Sequence, residues 1–340
     1  MKVTIKDIAK ATGFSVTQVS RALTGYSDVS PKTRENIIKV AEEMGYQPDY
    51  SARSLRRQQT HTIGLVIPST RLALTDPFFL EFLSGIGYES SKTRYDLLIS
   101  FSNNKNEQMK TLKDLVLSRR VDGIILNRIE NNDERVSFLL KKKYPFVAFG
   151  KIESCGDHPY VEINGFDATY QVTNHLIKKG HKKISFINVP KWQVCAKYRL
   201  AGYKKALEDN NIKFNEELVI HSEETDSEGY KIVKEIIKKY KKVTAIFVNS
   251  DVMTIGAVKA LNEAEIEIGK EIALASFNDT NITQNMNPPI TSLAQPIHLI
   301  GEKVTQMLIK ILKNKVSKLK QVIIKPKLII RESTSNMILN

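Results

Sequence analysis

Val16, Thr17, Gln18 and Arg21 are the residues of this chain whose types and spacing best suit chemistry, and that chemistry is recognition, not bond making. Threonine and glutamine side chains donate and accept hydrogen bonds, valine can pack on a thymine methyl, and arginine can reach guanine or a phosphate. All four fall within two turns of one helix, the length that a major groove admits. Catalysis has no comparable constellation. The sequence contains no GxSxG, HExxH, GxxxxGK[ST] or GxGxxG, so no enzymatic activity and no cofactor are expected. Cys155 and Cys195 stand 40 positions apart without a CxxC or Cys/His cluster, which indicates neither a metal site nor a disulfide framework. His158, His175 and His181 also lack metal-ligand spacing, and His181 in KKGHKK reads as a surface turn.

The elements that must position those four residues are short helices with clear start and stop signals. Thr4 and Asp7 form a capping box before a helix whose Ile5, Ile8, Ala9 and Thr12 share one face, and Gly13 stops it. Ser15 and Gln18 repeat the device, with Val19, Ala22 and Leu23 as the buried face and Gly25 as the stop. Two such helices joined by a glycine turn make a helix-turn-helix, in which the second helix enters the major groove. Ser30 and Pro31 open a third helix, with Ile37, Val40, Ala41 and Met44 at helical spacing before Gly45. Ser30, at the start of that helix, joins the candidate DNA contacts.

After Pro48, the segment from Tyr50 to Arg57 could form about two helical turns, too short to be stable without a partner. Leu55 stands there amid Arg53, Arg56 and Arg57, which suits either an apolar wedge for a minor-groove step with phosphate contacts or a basic linker packed on the next domain. Composition leaves both open. The stretches VTIKDIAKATGFSVTQVSRALTG and VSPKTRENIIKVAEEMGYQPDYSARSLR resemble the DNA-binding headpiece and hinge of the LacI/GalR family over residues 3 to 57. The resemblance implies base reading at Val16, Thr17 and Arg21 and a minor-groove lever at Leu55, and Ala52 and Ser54 fit its hinge pattern.

From Thr62 the chain alternates apolar runs (TIGLVI, DLLIS, GIIL, FVAFG, ISFI, AIFV and IALASF) with amphipathic helical stretches. Such βα alternation predicts parallel doubly wound sheets, with ligands at the carboxyl ends of the strands. DHPYVEINGFDA reads as the join between two lobes. The expected organisation is therefore an all-α helix-turn-helix domain (1–48), a hinge helix and linker (49–60), and a two-lobed α/β core (61–340).

The family resemblance extends through this core in DPFFLEFLSGI, RRVDGIIL, HLIKKGHKKISFIN, YRLAGYKKAL, AIFVNSD and FNDT, and implies a fold similar to periplasmic sugar-binding proteins. It assigns about 61–161 and 293–320 to lobe 1, and about 162–292 and 321–340 to lobe 2. It also implies ligand roles for Arg199 and Asp279, each of which fits a structural ion pair or cap as well, and places Asp76, Phe78 and Phe79 in the pocket loop, one phenylalanine being core. Asp251, before a helix, fits either a ligand contact or an N-cap. Arg128, at a strand end, fits a cleft group or a solvated loop residue. Trp192, the sole tryptophan, fits a sugar-stacking platform or burial against the lobe wall.

Bulk properties add bounds. A chain of 340 residues accommodates one small and one large domain, and no apolar run approaches a membrane span of about 18 residues. The opening MKVTIKDIAK lacks the apolar core of a secretory signal, so a cytoplasmic protein is expected. Residues 1 to 60 carry only +4 of the net charge of +14, and 38 of the 51 basic residues are lysine, so the charge adds little to the case for DNA. The readings carried forward are a repressor of carbohydrate-utilisation genes that binds palindromic operator DNA as a dimer or tetramer and responds to a mono- or oligosaccharide, and a global catabolite regulator answering to a phosphorylated carrier protein. A solute-binding protein without a regulatory role would share the core but not the first sixty residues.

Overall fold

Among the described residues of the first unit, 1–60, three capped helices stand: α1 (Ile5–Thr12), α2 (Val16–Thr24) and α3 (Pro31–Glu43). The computed structural model describes residues 3–46, 59–68, 76–152, 157–314 and 321–335. Asp7 accepts the Thr4 backbone N–H at 2.8 Å, and Ser15 Oγ accepts the Gln18 N–H at 3.2 Å while Gln18 Oε1 accepts the Ser15 N–H at 3.3 Å. Gly13 and Gly25 close α1 and α2 at φ of +71° and +86°, where a side chain would be strained. Ile8, Ala9, Val19, Ala22, Val29, Ile37 and Ala41 form the core, with Ile5, Leu23 and Met44 packed at its edge. Because the Ser15 cap satisfies orphan donors of α2, Ser15→Ala should cost about 1 kcal/mol and speed amide exchange in that helix about fivefold. Unchanged exchange would show that packing alone fixes the helix.

The second unit, 61–340, contains two six-stranded sheets. The first runs β11-β5-β4-β3-β1-β2, from β1 (Thr62–Pro68), β2 (Asp96–Ser102), β3 (Gly123–Leu126), β4 (Phe146–Phe149), β5 (Tyr160–Ile163) and β11 (Gln321–Ile324), all parallel. The second runs β12-β10-β9-β8-β6-β7, from β6 (Ile184–Asn188), β7 (Val219–His221), β8 (Ala245–Val248), β9 (Ala273–Asn278), β10 (Thr291–Ala294) and β12 (Lys327–Ile329). Among the described strands only β12 pairs antiparallel, with β10. Strands β3, β6 and β8 are buried along their whole length, as continuous apolar runs must be when helices cover both faces of a parallel sheet.

Helices α4 (Pro77–Thr93) and α12 (Ile297–Leu312) cover one face of the first sheet, and α5 (Lys105–Leu117) and α6 (Glu134–Lys141) the other. In the second lobe α7 (Gly165–Lys178) and α8 (Val194–Asp209) cover one face, and α9 (Asp226–Lys239) and α10 (Asp251–Glu263) the other. A short α11 (Asn281–Gln284) follows β9. Helix pairs α4/α12, α7/α8 and α9/α10 touch backbone to backbone at Gly85 and Gly301, Gly202, and Gly229 and Gly256.

The chain passes between lobes three times, after β5, β10 and β11. The strand pairing moves the expected boundaries. Gln321–Ile324 pairs in register with Tyr160–Ile163, so both belong to the first sheet, whereas residues 293–294 lie in β10 of the second. Strands of four residues such as these are too short to announce their sheet by local pattern. His181 is also not the surface turn its lysine neighbours suggest. It is 3% exposed with Nδ1 3.0 Å from Thr244 Oγ1, and burial pushes its pKa down to about 4, so the ring is neutral at physiological pH.

Candidate nucleic-acid interface and ligand cleft

Helix α2 presents Val16, Thr17, Gln18 and Arg21 on its exposed side, with Val16 at 43% exposure despite its apolar side chain. The Gln18 carbonyl oxygen serves the cap, which leaves the amide nitrogen as its outward donor group. Arg21 pairs with Asp28 at 2.9 Å, both about half exposed, and its guanidinium lies 5.4 Å from the Tyr26 ring centre. Such an exposed pair is worth at most about 1 kcal/mol, so a phosphate or base edge can displace Asp28. Ser30 Oγ accepts the Thr33 N–H at 3.2 Å and caps α3. Ala52, Arg53, Ser54, Leu55 and Arg56 lie outside the described residues.

The two-lobed unit holds a cavity of about 140 Å³ where the carboxyl ends of its strands converge. Asp76, Phe78, Phe79, Arg128 and Arg199 all line it. Asp76 caps α4, accepting the Phe78 N–H at 3.0 Å, and its pKa is raised to about 6, first by burial and then by the negative charge of Glu224. Phe79, 7% exposed, belongs to the lobe core, while Phe78 stacks on Phe149 with centroids 6.1 Å apart. Phe82 also stacks on Phe149, at 5.6 Å. Together these rings make an apolar wall.

Arg128 sits at a left-handed φ of +49°, held by its buried neighbour Arg135. The Arg135 guanidinium donates to the Asn127 and Arg128 carbonyls, each at 3.1 Å, and to both oxygens of Asp133 at 2.9 and 2.6 Å. Burial alone would raise the Asp133 pKa, but the Arg135 bonds outweigh it and hold the carboxyl below its usual value. Arg199 reaches the cleft from α8 with its guanidinium 4.1 Å from the Phe277 ring centre, and its buried Nε has no hydrogen-bond partner among the described residues.

Trp192, Asp251 and Asp279 do not line the cavity. Trp192 is half-buried at the rim, its Nε1 donating to Glu223 at 3.4 Å, with Lys105 Nζ 5.2 Å from its ring. Asp251 is neither a cleft group nor a cap. It is the first residue of α10, 2% exposed, and accepts from Ser276 Oγ at 2.9 Å and the Thr280 N–H at 2.7 Å. Its pKa rises to about 6 because burial outweighs those bonds. Asp279 forms a two-pronged pair with Arg331, at 2.5 and 3.1 Å, which ties β9 to the segment after β12. Both aspartates therefore spend their carboxylates on contacts within the second lobe.

Sequence reasoning missed Asn127, Phe149, Glu162, Gln193, Glu224, Asn278 and Gln295, which complete much of the lining. Asn127, Phe149 and Asn278 stand at or just after strand ends, a signal that could have found them. Glu224 lies in the loop between β7 and α9 and accepts from Gln193 Nε2 at 3.2 Å, with no local signature. The rim is latched across the lobes: Val194 N–H donates to the Ile129 carbonyl and Asn131 N–H to the Trp192 carbonyl, both at 3.2 Å. A bridge between Glu130 and Gln193 lies between them.

Residues 4–49 match the lacI family of bacterial regulatory proteins, and residues 173–334 the periplasmic binding protein-like domain. The transcriptional regulator AglR of Rhizobium meliloti (strain 1021) is 31% identical over 338 residues, which cover 98% of this chain and 95% of AglR. The complex of the transcriptional regulator CelR with cellobiose superposes with a TM-score of 0.77 at 25% identity, covering 98% of this chain and 100% of CelR. A Lac repressor dimer bound to operator and the anti-inducer ONPF shares the fold, with a TM-score of 0.86 at 24% identity over 98% of this chain and 99% of that one. No helix among the described residues is long and apolar enough to cross a membrane. The matched helix-turn-helix and the likeness to AglR along nearly the whole chain place this protein in the lacI family, whose members are DNA-binding transcriptional regulators and not enzymes.

Proposed function

We propose that this regulator represses carbohydrate-utilisation genes and that a mono- or oligosaccharide in the interlobe cleft switches its operator affinity. The observation that carries the effector half is Arg199: a buried guanidinium nitrogen without a partner among the described residues, at a cavity walled by Phe78, Phe82 and Phe149. A sugar matches that pairing, since its hydroxyls accept from arginine and its ring face packs on aromatic carbon. The cellobiose bound to CelR supports the class of ligand. For the DNA half, two subunits pair in the cytoplasm and set two copies of α2 into successive major grooves of a palindromic operator. Val16, Thr17, Gln18 and Arg21 read base edges, while Ser30, Arg53 and Arg56 contact phosphates and Leu55 wedges the minor groove.

A thermal-shift screen of saccharides, followed by operator binding with each hit, tests this function. The expected result is a stabilising sugar that weakens operator binding. If no sugar acts and a phosphorylated carrier protein does, the catabolite-regulator reading replaces it. Arg199→Leu should reduce sugar affinity at least about tenfold, the loss of one or more charge-assisted bonds, while operator affinity without sugar stays within about threefold of the parent. Equal sugar affinity in the variant would remove Arg199 from the site.

A further inference from the structure

Asp28 stands beside Arg21 on the side of α2 assigned to DNA, where a carboxylate is out of place. It repels phosphates and opposes the counterion release that drives association. Its pair with Arg21, 2.9 Å long and about half exposed on both sides, adds little to folding. Neither affinity nor stability accounts for it, but the geometry around Arg21 does. Helix α2 ends with the Gly25 N–H on the Ala22 carbonyl at 3.2 Å and the Tyr26 N–H on the Arg21 carbonyl at 3.1 Å, the two-bond glycine turn that closes many helices. An apolar pair often accompanies such a turn. Here the Tyr26 ring meets the Arg21 guanidinium in its place, 5.4 Å from the ring centre. Two residues on, Asp28 takes Nη2 of the same guanidinium. The loop that carries both is tied to α3, because Val29 is buried in the helix core and the Arg34 guanidinium donates to the Tyr26 carbonyl. Arg21 is thus held by a ring and a carboxylate, both on an anchored loop.

Building on the reading of Arg21 as a base contact, we infer that Asp28, backed by the Tyr26 ring, is a positioning residue that sets the specificity of DNA recognition at the expense of affinity. A guanidinium presents five N–H donors in one rigid plane, so a side chain pinned at Nη2 and against the ring offers its other donors in one direction. A guanine edge, which accepts two of them at O6 and N7, is read from that direction with the pair intact. On other sequences Arg21 serves as a counter-charge to phosphates and must leave Asp28 to reach them. The carboxylate thereby penalises the complexes in which no base is read. The pair is weak enough to be displaced, and a bias of that size is still a severalfold preference.

The test uses the full chain, an operator duplex selected from random DNA on the parent protein, and a scrambled duplex of the same composition, with binding followed by fluorescence anisotropy across a salt series. Asp28→Asn keeps size and removes charge. It should bind the scrambled duplex at least about fivefold more tightly than the parent and gain less on the operator, so the ratio of the two affinities falls about threefold or more. Its salt slope on scrambled DNA should steepen by about one, as Arg21 becomes available to a phosphate. Arg21→Met should weaken operator binding about tenfold, the loss of a two-pronged base contact, and in that background Asp28→Asn should leave the ratio unchanged. Circular dichroism establishes that each variant folds. A ratio that Asp28→Asn leaves level or raises overturns the inference while Arg21 stands as a reader. A fall that persists without Arg21 also overturns it, because Asp28 then acts by its charge alone. Operator binding that Arg21→Met does not weaken overturns the base-contact reading and this inference with it.

Discussion

Replacing Arg135 with leucine should destabilise the two-lobed unit by about 3 to 5 kcal/mol, the cost of leaving a buried charge without its partner. Asp133 is 3% exposed and Arg135 7%, so water cannot replace the lost guanidinium without opening the loop. The substitution also strips the donor from the Asn127 and Arg128 carbonyls, which frees Arg128 from its left-handed conformation and should weaken effector binding. Equilibrium urea unfolding gives the stability, and titration with the screened effector gives the affinity. Adding Asp133→Leu to Arg135→Leu should recover part of the stability but not the affinity, because an apolar pair can replace a buried ion pair yet cannot hold two carbonyls. A loss below about 1 kcal/mol would mean that the pair is energetically idle. The pH dependence has a definite sign. The folded-state pKa of Asp133 is lowered, so its contribution is present above the unfolded value of about 3.9 and is lost as pH falls below it.

Gly256→Ala should cost about 3 kcal/mol even though alanine is the better helix former by about 1 kcal/mol. A Cβ at Gly256 would lie 1.8 Å from the Asp226 carbonyl oxygen and 2.5 Å from the Tyr230 nitrogen, and these are backbone atoms of α9. The reciprocal contact is as close, with a Cβ at Gly229 2.1 Å from the Met253 carbonyl oxygen. Neither helix can turn a side chain aside, so the two must separate and thin the packing of Ile232, Val233, Met253 and Ala257 between them. Gly87→Ala is the control. Nothing lies within 4 Å of a Cβ there, so propensity alone acts and the change should stabilise by up to about 1 kcal/mol. Opposite signs for the two substitutions in thermal or urea unfolding would establish close packing as the cause; equal signs would refute it.

The parts of the fold legible in the sequence are those specified within a few residues of themselves. Thr4 with Asp7, Ser15 with Gln18, and Ser30 with Pro31 each mark a helix start by a contact three residues long or less, and all three stand at helix starts. The apolar runs of β1, β3, β6 and β8 are legible because burial on both faces removes polar residues from the run. Strands β5, β7, β10, β11 and β12 have three or four residues each, and partners far along the chain decide their sheet. The cleft divides along the same line. Asp76, Phe78, Phe79 and Arg128 stand at or near strand or helix ends that pattern can locate, and Arg199 stands inside a helix that family resemblance locates. Glu224 enters through a loop folded onto Gln193, and Asp279 is drawn from the cavity by Arg331, 52 positions away. Contacts of that range leave no local trace.

The three passages between lobes have a consequence for the order in which the protein becomes complete as it is made. Strands β11 and β12 supply one edge of each sheet, and both come after residue 320. A ribosome has therefore passed residue 320 before either lobe can finish its sheet, whereas helices α1 to α3 can settle once residue 46 has emerged. The DNA reader is ready early and the sensor late. During that interval each sheet offers an unpaired edge, β5 in one lobe and β10 in the other, and a nascent chain stalled there would be the form most exposed to aggregation.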